Sequence, residues 1–153
     1  MIKNSLIKFF ASGLCSGYSP FIPGTTGTIP AWILAYFWLG HNPTALWLAA
    51  GISIVASIAL ASLAEPLLGH DSKKIVIDEW AGMIISLLMV PFSLTNYIIA
   101  FVAFRGFDAV KIYPADRAEN LPRGWGVTAD DIVAGIQANI LTQLVIFILA
   151  KAG

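Results

Sequence analysis

Long apolar stretches alternate with short polar breaks along this chain, and the breaks and chain ends carry eleven of its eighteen charged residues. Five stretches are long and continuous enough to read as helices: residues 29–39, 44–64, 75–90, 94–111 and 129–150. "GHNP" stops the first, Pro91 the third, and Pro114 follows the fourth. A full membrane crossing takes about 20 helical residues, so the first stretch is expected to be short, tilted or shielded by its neighbours. The opening "MIKNSLIKFFASGLCSG" imitates a secretory signal, with Lys3 and Lys8 ahead of apolar and then small residues. Its apolar run is broken by Ser12 and Gly13, and Leu14 stands where a lipoprotein signal wants a small residue. It therefore predicts a retained amphipathic helix lying at a membrane surface. The whole pattern predicts an all-α, polytopic membrane helical bundle of about five spans, one domain over residues 1–153.

Composition sharpens this. The 153 residues are 58% hydrophobic and 12% charged, with mean hydropathy +0.78, where a soluble domain carries about a quarter charged residues. Net charge is zero, so nothing points to a nucleic-acid partner. Cys15 is the single cysteine. It excludes an internal disulfide and a CxxC metal site, and is expected to be a small buried apolar residue.

Where the charges fall matters more than their number. All nine acids lie between Glu65 and Asp131, and no charged residue occurs from Phe9 to Ala64. Lys3 and Lys8 precede the first stretch, Lys73 and Lys74 separate the second from the third, and Lys111, Arg117 and Arg123 lie between the fourth and fifth. The two remaining connections hold no Lys or Arg. The positive-inside rule then predicts a cytoplasmic N-terminus and an outer C-terminus, with Lys151 alone on the disfavoured side. In that topology "PGTTGT" (23–28), "IVIDE" (75–79), "FRGFDAVK" (104–111) and "TADD" (128–131) all meet at the cytoplasmic face.

Acids inside an apolar stretch are costly and mark function by default. A helix beginning near Ser72 would carry Asp78 beyond its first turn, below the headgroups, with Gly82 one turn on leaving room for a ligand or a close helix. "DDIVAG" repeats the form of "DEWAG", although Thr128 with Asp131 also reads as a capping box. Asp108 sits near a helix C-terminus, where an anion is disfavoured, with Arg105 and Lys111 each three residues away. Pro23-Gly24 reads as a turn with Thr28 as N-cap, and Thr25, Thr26 and Thr28 could equally cradle a phosphate ahead of a helix. Five carboxylates (Asp78, Glu79, Asp108, Asp130, Asp131), two or more cations and no His or Cys cluster suit Mg²⁺. Anions so crowded in a low-dielectric setting would not stay ionised without it. This composition argues for Mg²⁺-assisted phosphate chemistry on a membrane-resident substrate. His41 reads as a turn residue, and His70 near Asp71 has no evident Ser or Cys partner, so a nucleophilic triad is unsupported.

The stretches Pro23-Gly24-Thr25 with Gly27, "HDSKKIVIDEWAG" (70–82), "FRGFDAVKIYP" (104–114) and "GVTADDIVAG" (126–135), in this order, resemble the phosphatidylglycerophosphatase A family. The resemblance implies a multi-pass phosphatase of the bacterial inner membrane, converting phosphatidylglycerophosphate to phosphatidylglycerol and phosphate at a cytoplasmic site. It implies Asp78, Glu79, Asp130 and Asp131 around one or two Mg²⁺, with Asp108 a further ligand or base. Arg105 and Lys111 would face the phosphate, helped by Thr25, Thr26 and Thr28. The lipid substrate would keep its acyl chains in the bilayer. Two other readings compete: a phosphatase for a different lipid phosphate, and a non-enzymatic membrane cation carrier. A carrier should hold its acids near mid-membrane, and these cluster at one end.

Overall fold

Prolines and small polar side chains set the helix starts. The computed structural model describes residues 2–69, 72–118, 121–122 and 124–152. Helix α1 covers Ile2–Ala11, α2 Pro23–Leu34, α3 Pro43–Leu68, α4 Ile77–Ser86, α5 Leu94–Val110, α6 Ala115–Ala118 and α7 Gly124–Ala152. A 3-10 turn, Ser16–Tyr18, precedes α2, and a π-helical turn, Ala35–Leu39, continues it. No strand occurs among the described residues. Pro23 and Pro43 occupy the first turns of α2 and α3, where a missing N–H goes unfelt. The Asn42 side chain accepts from the Thr44 and Ala45 N–H groups, and Ser93 accepts from Asn96 N–H to start α5.

Three expected helix starts move. Helix α2 begins at Pro23, so Thr28 is not its N-cap but a buried residue inside it. Helix α4 begins at Ile77, which puts Asp78 and Glu79 in its first turn rather than beyond it. Helix α7 begins at Gly124, so Thr128 caps nothing; it is buried and shares a hydrogen bond of 2.7 Å with Ser57 of α3. In each case a long-range partner takes the hydroxyl or the acid, and local cap rules do not see such partners. Cys15 also departs from expectation: it is exposed, in a left-handed turn conformation after α1.

Helix α4 is the hub, packing against α2, α3, α5 and α7. It buries nine of its ten residues, all but Trp80. The main core gathers Met83, Ile84 and Leu87 with Tyr97, Ala100 and Phe104 of α5, Ala134 and Ala138 of α7, and Leu46 and Ala50 of α3. Helix α4 is also short, at about 15 Å. Its far end is closed by Asn139 of α7, whose Nδ2 donates to the carbonyls of Ile85, Ser86 and Leu88 at 3.4, 3.0 and 2.6 Å. Helix-terminal carbonyls in an apolar bundle must find such donors.

Helices α3 and α7 are long and apolar enough to cross a membrane. Only 22% of either apolar window is buried, so neither is the enclosed core helix of a soluble fold. Their outer faces expose Trp47, Leu48, Ile52 and Val55, and Ile140, Leu144, Phe147 and Ile148, an apolar surface that water would penalise. The other three expected spans are helical but fall short of that length: α2 with its π turn, α4 and α5. The N-terminal amphipathic stretch is helix α1, which packs on α3 and exposes Ile2, Leu6, Phe9 and Phe10.

Candidate active site

Four helices meet at one end of the bundle around a cavity of ≈ 460 Å³. Its lining includes Asp78 and Glu79 from α4, Arg105 and Asp108 from α5, Lys111 just beyond α5, and Asp130 and Asp131 from α7. All five candidate acids and both candidate cations therefore face one space. Pro23 and Gly24 of α2 close another side, and Lys73 stands on the rim.

Two cations reach the acids in different ways. Arg105 Nη1 donates to Glu79 Oε2 at 3.2 Å and to Thr28 Oγ1 at 3.1 Å, and lies 3.0 Å from Asp108 Oδ2. Thr28 Oγ1 in turn lies 2.7 Å from Glu79 Oε2. Lys111 does not face the substrate side alone: its Nζ is 3.0 Å from Asp130 Oδ2. Lys111 adopts a left-handed backbone conformation at the end of α5, which turns the chain toward α7. Gln137 secures that turn, donating to the carbonyls of Ile112 and Tyr113. Asp78 Oδ1 and Asp131 Oδ1 are buried and, among the described residues, accept from nothing.

Glycines make this assembly sterically possible. A Cβ on Gly24 would stand 2.6 Å from Arg105 Nη2 and 2.8 Å from Glu79 Oε1, so the ion pair crosses α2 where the side chain is missing. A Cβ on Gly135 would collide with the backbone carbonyl of Gly82, and one on Gly82 with Phe104 and the Asp131 carbonyl. The two Ala-Gly steps thus form the contact between α4 and α7, each one turn past an aspartate with one unpartnered oxygen. Of the two uses expected for Gly82, the close helix is the one realised.

The threonine cradle is not found as a loop. The "PGTTGT" stretch is the opening of α2. Thr28 backs the Arg105–Glu79 pair, Thr26 Oγ1 donates to backbone carbonyls such as that of Pro23 at 2.9 Å, and Thr25 lines a neighbouring apolar groove. His41 stacks near Phe92 at the opposite end. His70, Asp71 and Arg123 lie outside the described residues. Sequence reasoning missed Lys73 on the rim, which it used only for orientation, although the Lys73-Lys74 pair just ahead of the acids was the available signal. It also missed the steric role of Gly24.

The site suits a hard divalent cation in donor chemistry and in its two unpartnered carboxylate oxygens. Among the described residues, no group of three His, Cys, Asp or Glu is arranged to hold an ion unaided. Mg²⁺ commonly binds through one or two carboxylates and completes its shell with water and substrate phosphate, so the two observations are compatible.

The phosphatidylglycerophosphatase A family profile matches residues 9–146. A Bacteroides thetaiotaomicron protein provisionally named a phosphatidylinositol-3-phosphatase is 40% identical over 139 residues, covering 85% of this chain and 87% of the relative. Phosphatidylglycerophosphatase A of Escherichia coli K12 is 40% identical, covering 86% and 78%. The Haemophilus influenzae protein of the same name is 32% identical, covering 88% and 85%. No solved structure matches.

Proposed function

The chain belongs to the phosphatidylglycerophosphatase A family, and from that premise we propose that it hydrolyses the phosphate monoester of phosphatidylglycerophosphate with the help of Mg²⁺. One observation carries the reading: five carboxylates from three helices line one cavity with Arg105 and Lys111, and two aspartate oxygens there have no described partner. Asp78 and Asp131 would hold the cation, with Asp130, Glu79 and Asp108 available to complete or orient the set. When bound, Mg²⁺ supplies Lewis-acid polarisation of the phosphoryl oxygens and eases deprotonation of water. Arg105 and Lys111 are the groups that meet the phosphate oxygens. Thr28, Glu79 and Asp108 fix the Arg105 guanidinium, so its donors are oriented before the substrate arrives. Asp108, the one acid on α5, is the group we assign to accept a proton from attacking water.

The setting is a bacterial inner membrane, crossed by five segments with the site on the cytoplasmic side. Supporting this are the two long apolar helices, the Lys and Arg placement, and the aromatic cluster of Tyr36, Phe37, Trp38 and Phe92 at the end away from the site. The helices that fall short, such as the 17-residue α5 of about 25 Å, cross only where neighbours cover them or the bilayer thins.

The test is phosphate release by the purified full chain in detergent with phosphatidylglycerophosphate and Mg²⁺. Absence of release, or undiminished release from Asp78→Asn, would defeat the reading. A second substrate is favoured by the name of the Bacteroides relative: phosphatidylinositol 3-phosphate run in parallel decides between two lipid phosphates at the same site.

A further inference from the structure

Beside the polar cavity, α2 and α5 leave a second concavity of ≈ 360 Å³, lined by Thr25, Ile29, Trp32 and Ile33 of α2 and Ile98 and Phe101 of α5. We propose that this groove holds one acyl chain of the lipid whose phosphate occupies the polar cavity; the proposal rests on the lipid-phosphatase reading above.

The two spaces lie next to each other along the same pair of helices. Thr25 is adjacent to Gly24, over which the Arg105 guanidinium passes, and Phe101 is one helical turn from Arg105. The registers of the two helices agree: Thr25 and Phe101 mark the site end, while Ile33 and Ile98 lie deeper. From Thr25 to Ile33 the groove runs about 12 Å along α2, two turns away from the charges. Its floor is fixed, because Trp32 Nε1 donates to the Tyr97 carbonyl at 2.9 Å and the indole stacks on Tyr36. Its isoleucines are partly exposed, at 40% for Ile29, 39% for Ile33 and 48% for Ile98. A hydrocarbon chain entering from the bilayer would cover them. Two further apolar concavities among the described residues lie away from the polar cavity, one on the outer face of α3 and one at the opposite end of the bundle.

The experiment uses the full chain in lipid nanodiscs. A phosphatidylglycerophosphate analogue with a photoactivatable diazirine along one acyl chain is cross-linked and the labelled residues are mapped. Label should concentrate on Ile29, Ile33 and Ile98, and inorganic phosphate added in excess should reduce it. Label spread evenly onto Ile52 and Val55 of α3 would mean bulk lipid contact only and would overturn the proposal. Filling the groove by Ile33→Trp should raise KM for the diacyl substrate about tenfold, the loss expected when two methylenes are turned out, with kcat within about twofold. An unchanged KM, or an equal rise from Val55→Trp on α3, would also overturn it. Cross-linking needs no turnover. Concentrated label on a chain that releases no phosphate would therefore leave the groove standing and remove the enzymatic reading instead.

Discussion

The acid pair on α4 and the acid pair on α7 look alike in sequence, as "DEWAG" and "DDIVAG", and the bundle packs them together at Gly82 and Gly135. Their surroundings then divide the labour. In each pair one acid has a cation: Glu79 has Arg105 at 3.2 Å, and Asp130 has Lys111 at 3.0 Å. The other, Asp78 or Asp131, has a buried oxygen with no partner among the described residues. A buried acid with a counter-charge is part of the scaffold, and a buried acid without one is held at a cost that a ligand can offset. The comparison separates positions that their sequences do not.

The largest effect should come from the unpartnered acids. Asp78→Asn and Asp131→Asn should each lower kcat about a thousandfold, on the scale of several kcal/mol of lost charge stabilisation. Each should also raise the Tm of the protein in detergent, because the substitution relieves an uncompensated burial. Loss of activity with a lowered Tm would break the contrast. Chelation of divalent cations should match the Asp78→Asn loss and be reversed by added Mg²⁺. Glu79→Gln and Asp130→Asn should cost less, about 10- to 100-fold in kcat/KM, and should lower Tm because a cation loses its partner. Gly135→Ala forces the two helices apart at the Gly82 carbonyl and should destabilise by about 1–3 kcal/mol in thermal unfolding. Gly51→Ala on α3 meets nothing within 4 Å and should be neutral or slightly stabilising. The smallest effect is expected at Thr26, whose hydroxyl serves the backbone at the start of α2. Thr26→Val should change kcat/KM by less than about twofold, while Thr28→Val, which unseats the Arg105–Glu79 pair, should cost about tenfold.

Much of this was readable in advance. Apolar continuity located every long helix, and the expense of acids beside apolar runs marked the residues that line the cavity. Helix starts were less readable, because Thr28 and Thr128 look like caps until Glu79 and Ser57 are seen to claim their hydroxyls. The 75–90 stretch looked like one helix, since Leu87, Leu88 and Met89 are good helix formers. It ends at Ser86 because Asn139, some fifty residues away, takes the carbonyls. Ion pairing was equally hidden: local spacing offered Lys111 to Asp108, and the turned backbone at its own position delivers it to Asp130.

The Asn139 anchor has a mechanical meaning for the far end of α4. Crowded like charges push their carriers apart, and a ten-residue helix free at both ends could answer by sliding or tilting out of the cluster. With its last two carbonyls, and that of Leu88 just beyond, bolted to α7, α4 is a strut under compression. Asp78 and Glu79 are kept within reach of their neighbours by a fastening a full helix length away.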